Sequence, residues 1–117
     1  MDLIKINDNT EEIKKVIGIA NNHIKNRPQS YIHFSCKTHN MTIKLNREAE
    51  LVLVYSLYDS SKINCIDFIR LNTMYLSSID IDNLRFISMD YNDYNILESI
   101  SFYLKDVGTM SIEFNDK

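Results

Sequence analysis

The clearest pattern along the chain is helical. Ile13, Val16, Ile17, Ala20 and Ile24 recur at spacings of three and four, with polar or charged residues at most positions between them. That spacing places the apolar set on one face of a helix. Asp8, Asn9 and Thr10 supply capping oxygens, and Glu11 and Glu12 stand where the helix dipole favours acids. Pro28 stops the run, with Lys25 and Arg27 near the carbonyl end. The spacing predicts a helix over 10–26.

The period then changes to two. Ile32, Phe34 and Cys36 alternate with Tyr31, His33, Ser35 and Lys37. Met41, Ile43 and Leu45 alternate with Thr42, Lys44 and Asn46 across a turn at Thr38, His39 and Asn40. Two such runs predict an antiparallel hairpin with one solvated face. Residues 51–58 are apolar on both faces, as in a central strand, and Asp59 to Lys62 read as a turn. Further strands are expected near 63–70, 73–79 and 84–89.

Near the end, Ile96, Leu97, Ile100, Tyr103 and Leu104 again fit the helical period. Asn92 or Asp93 can cap the start, and Gly108 can close the end in a left-handed conformation. A second helix is therefore predicted over 94–106. Met110, Ile112 and Phe114 then alternate with Thr109, Ser111 and Glu113 as a last strand. A strand–helix–strand over 84–114 would place two strands parallel. The expected fold is a single α+β domain over 1–117. It has a mixed or mainly antiparallel sheet of about five to six strands, with two helices on one face.

Composition supports a folded chain. At 117 residues and 13.8 kDa the length suits one domain. With 44% hydrophobic residues, one Pro and two Gly, it has no signature of disorder. No uninterrupted apolar stretch reaches membrane-spanning length. No secretory leader is expected either, since the short run from Met1 to Asn7 leads at once into Asp8, Glu11 and Glu12. Cys36 and Cys65 are too few for a disulfide scaffold and read as buried reduced thiols of a cytoplasmic protein. Plentiful Ile, Asn, Lys and Tyr against few Ala, Gly, Pro and Arg point to an AT-rich gene. Such genes are common among viruses and mobile elements.

Candidate chemistry narrows quickly. His33, Cys36 and His39 offer two imidazoles and a thiol, which zinc accepts. In an extended strand, however, His33 and Cys36 point to opposite faces, and no fourth ligand stands nearby. Cys36 shares the phase of Ile32 and Phe34 and reads as a core residue rather than a nucleophile. Asp80-Ile81-Asp82 resembles half a calcium loop but lacks the glycine and the distant glutamate. With Gly18 and Gly108 the only glycines, no glycine-rich phosphate loop or G-x-S-x-G elbow exists. No catalytic residues, metal site or cofactor are assigned.

Charge is the most informative remaining signal. The net charge is −3, but residues 1–47 carry 8 basic and 4 acidic side chains, whereas 48–117 carry 5 and 12. Basic residues of the first half, with Tyr31 as a stacking ring, lack any recognised nucleic-acid motif. The pI of about 5.5 also argues against nucleic acid or an anionic membrane as partner. In the second half Asp80, Asp82, Asp90, Tyr91, Asp93, Tyr94 and Glu98 interleave acids with aromatics around a single cation, Arg85. That composition suits a surface that meets a basic protein. The expected function is a non-enzymatic inhibitor, in its sharpest form an immunity protein that neutralises a basic nuclease toxin. A small viral or phage inhibitor of a host defence protein shares the same features. A small metal-dependent or cysteine hydrolase is the alternative from another class.

Overall fold

The helix forms over the span its pattern predicts, and the chain around it is almost entirely strand. The computed structural model describes residues 2–5, 10–71, 74–106 and 108–116. In chain order the elements are β1 (Asp2–Lys5), α1 (Thr10–Asn26), β2 (Tyr31–Ser35), β3 (Asn40–Lys44), β4 (Glu50–Tyr55), β5 (Ile63–Leu71) and β6 (Met74–Asp80). A single 3-10 turn at Ile81–Asn83 leads into β7 (Leu84–Tyr91), β8 (Leu97–Leu104) and β9 (Gly108–Glu113). The strands form a six-stranded sheet, ordered β1-β7-β8-β9-β2-β3, and a three-stranded sheet, β4-β5-β6. Every pairing is antiparallel.

Register explains the layering. Met89, Ile100, Ile112, Ile32 and Ile43 stand side by side across the large sheet, and Ile87, Phe102, Met110, Phe34 and Met41 form the next such row. Pleating sends both rows to the same face. The central members of these rows are buried in one cluster with Ile13, Val16, Ile17, Ala20 and Ile24 of α1 and with Leu51, Ile66, Phe68 and Ile79 of the small sheet. Phe68 meets Phe102 edge to face at 5.6 Å between ring centres. The helix and the small sheet thus cover the same side of the large sheet. Asn21 fastens them together. Its amide donates to the Leu51 carbonyl at 3.0 Å, and its carbonyl oxygen accepts the Leu51 N–H at 2.7 Å. A side chain of α1 here pairs with backbone that an edge strand leaves open.

The predicted helix over 94–106 is the main correction. That segment is β8, and with β9 it completes the large sheet, so no parallel strand–helix–strand unit forms. A bulge produced the helix-like spacing. Asp90 pairs with Ser99 but Tyr91 pairs with Leu97, so Glu98 is an extra residue in β8. Leu97 consequently joins Ile100, Phe102 and Leu104 on the inner face, a step of three followed by steps of two. The first step copies a helical interval. Among the described residues there is one α-helix, and the large sheet alone holds six strands.

Two local readings change with it. Asn92 does cap, but it caps a hairpin turn. Its side-chain oxygen accepts the N–H of Tyr94 at 2.8 Å and of Ile96 at 3.0 Å, and Asn95 takes a positive φ of 62°. Gly108 begins β9 rather than ending a helix. Its φ is 144°, and any Cβ there would collide with the Ser35 carbonyl, so β2 and β9 approach closely only at a glycine. The expected capping residues Asp8 and Asn9 lie outside the described residues. β1 had no counterpart in the sequence pattern. No helix among the described residues is long and apolar enough to cross a membrane.

Candidate functional site

The seven acidic and aromatic positions singled out from sequence fall into two groups. Asp80 ends β6 and Asp82 lies in the 3-10 turn, both exposed and both before the start of β7. Asp90, Tyr91, Asp93, Tyr94 and Glu98 surround the opposite end of β7, in the hairpin to β8. Eight residues of strand, about 25 Å, separate the groups. The seven do not form one surface, and the hairpin end is the candidate.

That end is built from turn chemistry. Asn92 donates its N–H to the Ile96 carbonyl at 2.9 Å and accepts from Asn95 N–H at 3.0 Å, besides the two bonds to its side chain. Asparagine favours such a turn because its side chain bonds backbone N–H groups a few residues on. It presents Tyr94, 84% exposed, with Ile96 and Tyr91 also exposed. Glu98 projects from the bulge, and Asp93 from the turn, both exposed.

The register adds a carboxylate that the sequence reading passed over. On the outer face of the large sheet, Asp90, Ser99, Glu113, Tyr31 and Lys44 form one row. Glu113 is half-buried. Burial raises its pKa above the usual carboxylate value, and the charges of Asp90 and Glu98 raise it further, against the opposing influence of His33. Glu113 takes the outward phase that the alternation of the last strand predicts. Only the strand order sets it two places from Asp90. Ser99 lies between them and donates to Asp90 at 3.4 Å. Among the described residues, the ion pairs are Lys14 with Glu11 and Arg27 with Asp116, so Asp90, Glu98 and Glu113 stand unpaired.

The next row on this face is a band of small hydroxyls. Ser88, Ser101, Ser111, His33 and Thr42 are in register. Ser101 and Ser111 bond at 2.8 Å, as do His33 Nδ1 and Thr42 at 2.9 Å. The Ser88 hydroxyl is fully buried and, among the described residues, has no hydrogen-bond partner. Phe86 and Tyr103, stacked at 4.4 Å between ring centres, bound the band on its other side.

The remaining sequence candidates do not converge. His33 faces outward in β2, and His39 bonds Thr38 in the loop at 2.8 Å. Among the described residues no set of three His, Cys, Asp or Glu side chains could hold a metal. Both cysteines are free, but neither is buried as expected. β2 stops at Ser35, so Cys36 lies in the loop. There the Thr38 and His39 N–H groups and the Thr38 hydroxyl lower the pKa of its thiol. Cys65 is raised, first by burial. β4 also ends sooner than 51–58 suggested. Leu57 and Tyr58 project from the loop instead, each 97% exposed. An apolar cleft of about 200 Å³ opens where Ile32, Phe34, Met41, Ile43 and Met110 run past the cover of the small sheet, with Ser77 at its edge.

No protein-family model matches the chain, and neither any curated protein nor any solved structure matches it.

Proposed function

We propose that this chain is a non-enzymatic protein-binding module whose partner is a basic protein, met at the β7–β8 hairpin end of the large sheet. In its sharpest form it is an immunity-type inhibitor, with carboxylates taking the place of nucleic-acid phosphates against the Lys and Arg residues of a nuclease toxin. The observation that carries the reading is the company these carboxylates keep. Asp90, Asp93 and Glu98 surround a turn held by four hydrogen bonds that exposes Tyr94 and Ile96, with Tyr91 on the opposite face of β7 from Asp90 and with Glu113 in the Asp90 row. Tyrosines supply contact area at low entropic cost, and unpaired acids steer a cationic partner. A turn closed by its own hydrogen bonds reduces what ordering costs on association.

Co-expression with the product of the neighbouring gene, followed by binding kinetics, tests this. Asp90→Lys combined with Asp93→Lys should slow association at low salt and abolish protection, while thermal melting stays unchanged. Tyr94→Ala should chiefly speed dissociation. A charge-reversed protein that binds as tightly as the parent at low salt would sink the acidic-surface reading.

A further inference from the structure

We infer that β3 is the seam of a homodimer, in which a second copy of this chain adds its own β3 antiparallel across the open edge of the large sheet. The inference does not rest on the acidic-surface reading and uses a different edge of the molecule. β3 ends the strand order, so among the described residues it is paired on one side only. The bonds that flank it show which backbone groups lie open. The Cys36 N–H donates to the His39 carbonyl and the Leu45 N–H to the Ser30 carbonyl, both at 2.9 Å. Bonded and non-bonded pairs alternate along an antiparallel ladder. Met41 and Ile43 therefore bond to β2, and the N–H and C=O groups of Asn40, Thr42 and Lys44 point away from it.

Those groups fit a copy of themselves. A two-fold axis at Thr42 sets Thr42 against Thr42 and Asn40 against Lys44 of the second copy, so the whole strand pairs. The same register aligns the inner face, with Met41 of each copy opposite Ile43 of the other. Those are the non-bonded positions, where side chains stand closest. The charges agree with this register. Lys44 is the strand's one charged residue and meets an amide. The two Lys44 backbones stand about 14 Å apart, beyond the screening length. A shift that sets Lys44 against Lys44 loses most of the pairing and adds repulsion.

The apolar surface calls for the same occupant. Met41 is 53% exposed although it shares an inner-face row with Ile87 and Phe102. The cleft of about 200 Å³ lies along this edge, against Ile32, Phe34, Met41 and Ile43. Met41 and Ile43 of a second copy continue the two inner rows and close the open side of the cleft, and symmetry closes both clefts at once. β3 also lacks most of the features that guard an edge. Its register with β2 has no bulge, it has no proline, and no charge points inward. The backbone of β4, by contrast, is bonded by Asn21 at Leu51. With 5 residues a side in the strand, against roughly 20–30 in a standard interface, the dimer should be weak and concentration-dependent.

Sedimentation velocity of the intact protein, from about 1 μM to about 500 μM, should show the mass rise from 13.8 kDa toward twice that value. Thr42→Pro removes an N–H that bonds nothing in β2, and proline is accepted on such an edge. It should raise the dimer dissociation constant at least about tenfold while melting stays near that of the parent. Met41→Lys should do the same without touching the backbone. Leu57→Ser, in the exposed loop before β5, should leave the dimer intact. A parent that stays monomeric throughout overturns the seam, and so does a dimer that survives both β3 variants or is lost with Leu57→Ser alone. If Thr42→Pro lowers melting, Met41→Lys decides between these outcomes. A monomer that still binds a basic protein through Asp90 and Asp93 would overturn the seam and leave the acidic-surface reading standing.

Discussion

Glu113 and Phe114 are consecutive, yet they belong to opposite electrostatic regimes. On the side of Phe114, α1 closes over the sheet. Arg27, only 13% exposed in its side chain, donates to the carbonyls of Leu97 and Phe114 and to Asp116 at 3.0 Å. Its guanidinium also lies over the Phe114 ring, and His23 packs on the same ring at 5.1 Å. Every charge there that is removed from water has a partner. On the side of Glu113, among the described residues, three carboxylates share a face with no ion pair, Lys44 standing two strands away in the same row, and a buried hydroxyl has no hydrogen-bond partner. The first arrangement secures the helix to the sheet. The second adds repulsion to the folded state, which an external cation would relieve.

Breaking the paired side should have the largest effect. Arg27→Ala removes bonds to two carbonyls and should cost about 3 kcal/mol in chemical denaturation. A loss of less than half that would mean that water substitutes freely at the seam. On the unpaired side, Ser88→Ala should stabilise the free protein by about 1 kcal/mol, because it removes an unsatisfied buried group. Destabilisation by that variant would show that the hydroxyl has a partner after all. Asp116→Ala should cost about 0.5 kcal/mol, since the carboxylate is 72% exposed and such pairs contribute little. Comparison with Arg27→Ala then assigns the strength of the seam to the carbonyls.

The pH dependence should differ in sign between the two sides. Burial lowers the His23 pKa, and Arg27 lowers it further against the opposing pull of Asp116. Its unfolded form binds the proton more readily, so stability from this site is present above the ordinary histidine range and is lost as pH falls from about 6.5 through the lowered value. Glu113 is raised, so its folded form holds the proton longer, and stability falls as pH rises from about 4.5 through the raised value. Melting curves between these limits should slope oppositely in His23→Gln and Glu113→Gln, each variant lacking one of the two contributions. Parallel slopes would mean that neither group titrates as its surroundings require.

The legible elements were those whose pattern was local and uninterrupted. α1 matched residue for residue, because five apolar side chains at helical spacing leave one face to bury. The β2–β3 hairpin matched for the same reason at period two, and the strands expected near 63–70, 73–79 and 84–89 are also present, as β5, β6 and β7. β8 failed because one inserted residue, Glu98, broke its period at the point where the spacing was read. The site was legible in part. The acids around Asn92 were visible as charge, but Asn92 itself patterned as a helix cap rather than a turn residue, and Asp80 and Asp82 are grouped with them by sequence distance alone.

The sequence by itself determined which residues seek burial, where the chain turns, and that the second half is acidic, since these follow from side-chain chemistry and short-range periodicity. Only the tertiary structure decided what stands beside what. Strand order is set by the joint burial of α1, the small sheet and the inner face of the large one, a long-range optimum with no local signature. That order sends Asp82 to one end of β7 and carries Glu113 from near the end of the chain to within two strands of Asp90.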